Sequence, residues 1–300
     1  MLFAHKAGLP SLATDRAPAD GDLYSQEEGN QAAIDALGPS PAAPAAAGGQ
    51  PTEQPAWAED GIASELAVAG FVAAAREVEA EWATLTPADR AGHLGDAANA
   101  QLGAAGVPAV DTGLADLPVA GQFVGRTWRI NLDSKQFGRD AVNAALMGTI
   151  ASQVYHEARH AEQTFRMARL LAGRKRARPR AIAAELHILP AVAEEAAQSP
   201  LDAASEAGIE ARQWYDSEYA HPEERNRILA RLEVTGAALA AAQKAYHAVP
   251  DTDPEGIEAA HQALMAAQAA HDEVYAEYRA LPEEVDAWEA GDAVKTGYGA

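Results

Sequence analysis

Two histidines in the middle of the chain have the spacing of a metal site. His156 and His160 are one helical turn apart, so on a helix both imidazoles lie on one face and can share a metal ion. Zinc accepts imidazole nitrogen readily. Glu157 is turned by about 100° from His156, so its carboxylate lies beside the metal, where it can take a proton from water and pass it to a leaving amine. The HExxH pattern therefore predicts zinc as cofactor and Glu157 as a catalytic base.

A second interpretation of the same motif involves no metal. In it, the two histidines lie on a solvated helix face and Glu157 pairs with Arg159 or Arg169. The surrounding sequence favours the zinc site, because apolar residues recur every three or four positions and give the helix a buried stripe on the opposite face.

A zinc site of this kind needs a third ligand from another part of the chain. One candidate is Glu284, which begins a late helix; it lies 124 residues beyond His160, but a helical hairpin before it returns the chain to its starting point. Its neighbour Glu283 is a further candidate. The rival is Glu210, with Glu206 one helical turn behind it.

A tyrosine hydroxyl can donate to the oxyanion that forms when a carbonyl group is attacked. Tyr215 and Tyr219 are candidates for this contribution. The alternative for each is packing in a helical core.

The segment before the motif has the pattern of strands. Residues Thr127 to Leu132 alternate polar and apolar side chains, with Trp128, Ile130 and Leu132 on one side. A preceding strand near 121–125 can pair with it across a short turn. We expect an antiparallel sheet beside the motif helix, with the 127–132 strand at its edge, where an extended peptide would bind through main-chain hydrogen bonds.

The motif helix is predicted to begin after Gly138, with Asp140 as its N-cap, and to end near Gly173. Its apolar stripe at three- and four-residue steps should be buried. Further helices are predicted from about Ile62 to Trp82, from Thr86 to about Leu102, over 181–197 and over 203–219.

Two coiled-coil seams follow, one on each side of the proline-flanked segment 250–254, and predict an antiparallel helical hairpin. A short last helix should begin at Pro282 and stop at Gly291. The fold class is therefore mainly helical, α+β. The expected organisation is a disordered Ala/Pro/Gly-rich leader (1–56), a helical metallopeptidase core (57–222), a hairpin insertion (223–280) and a C-terminal helix that returns to the core (281–300).

Composition narrows the range of partners. The formal net charge is −21, and a surface so acidic repels nucleic acid and anionic membranes. There are no cysteines, which excludes thiolate ligands and a cysteine nucleophile. The sequence begins without a signal peptide and contains no transmembrane stretch, so we expect a protein that stays in the cytoplasm of its producer or leaves by a non-classical route.

Three segments together resemble the gluzincin branch of the zincin metallopeptidases, in particular bacterial domains found in effectors of contractile injection systems and in polymorphic toxins. They are Trp128 to Gly138, His156 to Gln163 and Leu281 to Gly291, and the resemblance covers roughly residues 85–291. It implies a zincin-like core and zinc held by His156, His160 and Glu284, with Glu157 as base. It also implies a peptide or protein substrate and delivery by an export apparatus. The long hairpin is a departure from a minimal gluzincin.

Overall fold

Helices make up most of the chain that the computed structural model describes, which is residues 61–117, 119–174, 177–250 and 252–299. These residues belong to one compact unit that begins at Pro55. A short 3₁₀ helix at Gly61–Ala63 precedes the first α-helix. The elements, in chain order, are α1 (Glu65–Glu81), α2 (Pro87–Ala104), β1 (Asp111–Ala115), β2 (Gly121–Val124), β3 (Arg129–Asp133), α3 (Ser134–Phe137), α4 (Ala144–Ala172), α5 (Pro179–Glu185), α6 (Pro190–Ala196), α7 (Glu206–Tyr215), α8 (Glu223–Ala248), α9 (Pro254–Arg279) and α10 (Pro282–Gly299).

Local capping chemistry sets where several helices begin and end. Thr86 and Asp89 form a capping box at the start of α2, where Pro87 occupies the first turn, as the sequence predicts. Helix α4 ends at Gly173, also as predicted. Its start was predicted wrongly, since the N-cap is Asn143, whose side chain accepts from the Leu146 amide, and not Asp140.

Helix α4 is the central element of the fold. It is buried along most of its length, polar residues included. Helices α1, α2, α6, α7 and α10 and strands β2 and β3 all pack against it. Because neighbours surround it, the polar side chains of α4 must find partners inside the protein rather than in solvent.

The sheet is mixed and not antiparallel throughout. Strand β3 is central, with β2 antiparallel on one side and β1 parallel on the other. The predicted pairing of the 121–125 and 127–132 segments is confirmed. The prediction that the 127–132 strand lies at the edge is wrong, because that segment forms the middle strand β3 and β2 lies at an edge. Trp128, Ile130 and Leu132 are buried, and Trp128 has a left-handed φ of 51° in the turn before β3.

The segment predicted as one helix over 181–197 is broken into α5 and α6. His187 has a left-handed φ of 51°, and Pro190 starts the second helix. A proline disfavours helical geometry in the residue before it, and Leu189 is extended, so one helix cannot continue through this point. The helix predicted over 203–219 is α7 followed by a π-helical turn at Asp216–Ala220.

Helices α8 and α9 pack against each other as a hairpin. Each has 26 residues, which corresponds to a length of about 39 Å. At its base the hairpin has a small cluster of its own, formed by Ile228, Val274 and Leu281. Helix α10 then returns along α4 and continues through Gly291, where the sequence pattern had predicted its end.

The predicted leader at 1–56 lies outside the described residues. Among those that are described, no helix combines the length and the hydropathy needed to cross a membrane.

Candidate metal centre

The three side chains implied as zinc ligands come together in the structure. His156 and His160 project from one face of α4, and Glu284 projects from the first turn of α10. The Nε2 atoms of the two histidines are 3.0 Å apart. The Glu284 carboxylate reaches both, with Oε2 at 3.6 Å from His156 Nε2 and Oε1 at 3.6 Å from His160 Nε2. One potential ligand atom from each of the three residues lies within 4.8 Å of the other two.

These separations fit a tetrahedral zinc ion. Two ligands bound at about 2.0–2.1 Å with a tetrahedral angle between them lie about 3.3–3.4 Å apart. Glu284 Oε2 is also buried without a hydrogen-bond partner among the described residues. A buried carboxylate oxygen is costly to leave unpaired, and a cation at this point would satisfy it. Two imidazoles and a carboxylate form the donor set of catalytic zinc sites with one open position.

Glu157 lies between the histidine pair and the sheet. Its carboxylate accepts a hydrogen bond from the backbone N–H of Phe123 on edge strand β2, at 2.7 Å. Strand β2 can come this close because of Gly121, since a Cβ atom there would lie 3.0 Å from the Glu157 side chain. Burial raises the pKa of Glu157 to about 7, with Glu284 adding to the effect and His160 opposing it. That value suits a group that must accept and then release a proton near neutral pH.

The two imidazoles differ in their electrostatic surroundings. Burial, together with the neighbouring His160, lowers the pKa of His156 to about 3, so His156 is neutral and available as a ligand. Burial also acts to lower the pKa of His160, but the carboxylates of Glu284 and Glu157 outweigh it and raise that pKa. The Trp288 ring packs on His156 with a centroid distance of 4.4 Å and shields it from solvent.

Two contacts from the hairpin hold the glutamates at the start of α10. The Tyr278 hydroxyl, on α9, donates to Glu284 Oε1, which leaves Oε2 as the oxygen without a partner. Arg225, on α8, pairs with the buried Glu283 at 3.1 Å. Glu284 is therefore held directly from α9, while α8 holds its neighbour Glu283.

The other glutamates considered from the sequence lie elsewhere or face other partners. Glu210 is half-buried and pairs with Arg166 at 3.1 Å. Glu206 is exposed in the first turn of α7. Glu283 is buried but its carboxylate binds Arg225. None of the three belongs to the group of converging donor atoms.

The hydroxyl groups of the two tyrosines considered as oxyanion donors are hydrogen-bonded outside the candidate metal site. The Tyr215 hydroxyl donates to Glu185 at 2.5 Å, and the Tyr219 hydroxyl donates to the Leu186 carbonyl at 3.3 Å. The prediction of an oxyanion contact from either one is not supported by this geometry.

The alternative pairing of Glu157 with an arginine is absent from the described contacts. Arg159 binds Glu162 and Asp286, and Arg169 donates to the Ser199 carbonyl. His156 is buried rather than solvated, with 6% of its surface exposed. The solvated-face interpretation of the motif is therefore wrong.

Sequence patterns missed several side chains that support the site. Gln163 lies three residues after His160, a spacing that places both on one helix face and was a usable signal. Asp286 and Trp288 carried no such signal, because they meet the site only through the return of α10 along α4. Tyr278 reaches the site from the hairpin helix α9.

No protein-family model, no curated protein and no solved structure matches this chain.

Proposed function

We propose that this protein is a zinc-dependent metallopeptidase whose site is formed by His156, His160, Glu157 and Glu284. The observation that carries the proposal is the meeting of three donor atoms from α4 and α10, within 4.8 Å of one another, beside a glutamate of raised pKa. A zinc ion held there supplies Lewis acidity, which polarises a carbonyl group and lowers the pKa of a coordinated water.

Glu157 is the general base and then the general acid in this proposal. Its carboxylate accepts the proton of the attacking water and passes it to the leaving amine. The Phe123 N–H bond fixes one carboxylate oxygen, so the other is the oxygen that handles the proton. A pKa of about 7 makes both the acceptance and the release of the proton accessible at neutral pH.

The peptide bond as substrate is supported by the position of β2. This strand is at the sheet edge and lies directly beside Glu157. An extended peptide can bind such an edge through main-chain hydrogen bonds, which would bring its carbonyl groups past the metal ligands. Delivery as an effector or toxin stays a prediction drawn from the resemblance.

Two measurements test the proposal together. Elemental mass spectrometry should find about one zinc per chain in the wild type and none in the His156→Ala/His160→Ala variant. Glu157→Gln should keep the zinc but lower the cleavage rate of a peptide library by about 10²-fold or more. Glu77→Gln, on the exposed face of α1, is the matched control and should cleave at the wild-type rate.

The competing hypothesis is a non-catalytic cargo or interaction protein with a vestigial or structural metal site. It is favoured by the exposure of the hairpin, since only Ile228 of α8 is buried. It predicts that neither the wild type nor any variant cleaves peptides, whether or not zinc is bound. Absence of zinc from wild type, even after zinc is supplied, would overturn the metallopeptidase and favour the interaction protein with a vestigial site.

A further inference from the structure

A chain of hydrogen bonds, most of them partly buried, runs from Arg159 to the His160 ring. Arg159 donates to both oxygens of Asp286, from Nε and from Nη2, at 2.8 Å each. Gln163 Nε2 donates to Asp286 Oδ2 at 2.6 Å and to the Glu283 carbonyl at 2.8 Å. Gln163 Oε1 is 2.8 Å from His160 Nδ1. Arg159, Gln163 and Glu283 each expose no more than 2% of their surface, whereas the side chains of Asp286 and His160 are 19% and 17% exposed. Water is therefore not a ready partner for Gln163 itself.

The chemistry of the groups sets the direction of every bond. An arginine only donates and an ionised carboxylate only accepts, so Asp286 must also receive from Gln163. The Gln163 nitrogen therefore faces Asp286 and the Glu283 carbonyl, and its oxygen faces His160. That oxygen can only accept, which places a proton on His160 Nδ1.

We propose that Gln163 is a positioning residue that fixes the tautomer of His160, holding a proton on Nδ1 and thereby keeping the Nε2 lone pair directed at the metal. The inference rests on the proposed metal site, though not on peptide hydrolysis. Ligand histidines commonly donate their second N–H to a carboxylate or a carbonyl group. Here the acceptor is a side-chain amide, because the position requires an acceptor toward His160 and a donor toward Asp286 at once. Only an amide side chain of this length supplies both.

The tautomer can be measured directly in the zinc-free protein. Long-range ¹H–¹⁵N NMR distinguishes the protonated from the unprotonated ring nitrogen, and the His160→Ala variant assigns the signal. Zinc affinity is measured separately, by competition between the protein and a chelator for added zinc chloride. Neither readout depends on peptidase activity.

Two substitutions separate positioning from packing. Gln163→Met keeps the length of the side chain but removes the acceptor, so we expect loss of the fixed Nδ1–H tautomer and zinc binding weaker by about 10–100-fold. Gln163→Glu keeps an acceptor toward His160 but places a second carboxylate against Asp286. It should therefore lower the melting temperature and still retain the tautomer and zinc affinity close to that of wild type.

Thr164→Val is the matched control. Thr164 is the next residue on the helix and its hydroxyl donates to the His160 backbone carbonyl at 2.8 Å, not to the ring. It should leave the tautomer and the zinc affinity unchanged.

If Gln163 had a purely structural role, the zinc affinities of the two variants would rank differently. Zinc affinity would then follow the melting temperature, and Gln163→Glu would bind zinc no better than Gln163→Met. That order, or an unchanged tautomer in Gln163→Met, would overturn the proposal. If wild type binds no zinc, the proposed function fails, while the tautomer in the zinc-free protein still decides the role of Gln163.

Discussion

Burial of Glu157 makes the stability of the zinc-free protein depend on pH. Its pKa is raised from 4.5 to about 7 by burial, so folding disfavours the ionised form. Below pH 4.5 the carboxyl is mostly protonated in both the folded and the unfolded state, so its burial costs no stability. As the pH rises through the folded-state pKa, the cost of the buried charge grows to about 3 kcal/mol.

Glu157→Gln should therefore stabilise the zinc-free protein, and more strongly at high pH. We expect its free energy of unfolding to exceed that of wild type by about 2–3 kcal/mol at pH 8 and by less than about 1 kcal/mol at pH 5. Urea unfolding in the presence of a chelator measures both values. Glu77→Gln, at an exposed position, should show no such trend, and a gain that does not depend on pH would contradict the assigned cause.

Tyr278 should control how well Glu284 serves as a ligand. Its hydroxyl donates to Oε1 and so leaves Oε2 as the free oxygen. Tyr278→Phe should weaken zinc binding by about tenfold, since loss of a partner behind a ligand typically costs 10–100-fold. Tyr275→Phe, one turn earlier on α9, is the control for loss of a hydroxyl and should keep wild-type affinity. Equal affinities for all three proteins would count against this contact.

Residue types and spacing predicted part of the site. The histidine pair and Glu157 were found because a helix converts their sequence separation directly into a shared face. Glu284 was one of four open candidates, and only the return of α10 separates it from Glu283, Glu210 and Glu206. The contacts of Asp286 had no local signal, because Arg159 and Gln163 are more than 120 residues away. Tyr278 is only six residues before Glu284, but the two lie on different helices, so helical spacing does not pair them.

At the scale of elements, the approach of α10 to α4 determines whether the three ligands meet. Gly291 permits that approach, since a Cβ atom there would lie 3.0 Å from the Ser152 carbonyl oxygen and 3.5 Å from the His156 Cβ. The first of these neighbours is helix backbone and cannot rotate away. Any side chain at this position must push the two helices apart.

Gly291→Ala should therefore destabilise the protein and weaken zinc binding. Overpacking of this kind costs about 1–3 kcal/mol, which exceeds the helix-propensity gain of about 1 kcal/mol from replacing glycine by alanine. Gly297→Ala, on the same helix, meets only Val72 at an ordinary 3.4 Å and should be neutral or stabilising. Thermal unfolding and zinc competition on the two variants check this, and a stabilised Gly291→Ala would contradict the close-packing argument.

Gly291 also explains an error of sequence analysis at this scale. A glycine after an apolar run is a common helix stop, and the same residue is needed where two helices pack closely. The amino-acid sequence alone does not distinguish a glycine that ends a helix from one that allows close helix packing. Strand β1 was missed for a related reason: Asp111–Ala115 has no alternation of apolar residues, and its pairing partner β3 defines it. Strong local caps, by contrast, placed the start of α2 and the end of α4.

For the molecule as a whole, the hairpin divides into a base that contacts the candidate metal centre and an outer part that does not. The base contains Arg225, Tyr278 and the small cluster of Ile228, Val274 and Leu281. The main core includes no residue of α8 or α9 among its buried members. The two regions should therefore be separable by shortening the hairpin at its outer end.

Removal of residues 236–249 and 257–270 takes two heptads from each hairpin helix and keeps the seam in register. We expect this shortened protein to keep the wild-type zinc affinity and, within about 0.5 kcal/mol, the stability of the main core, because every contact to Glu283 and Glu284 remains.

Ile228→Ala in the full-length chain is the opposite case. It opens a cavity beneath Tyr278, should cost about 2–5 kcal/mol within the base, and should weaken zinc binding. Zinc competition is measured on both proteins. Weaker binding by the shortened protein would mean that the outer hairpin also supports the site. Unchanged binding in Ile228→Ala would mean that the base of the hairpin does not support it.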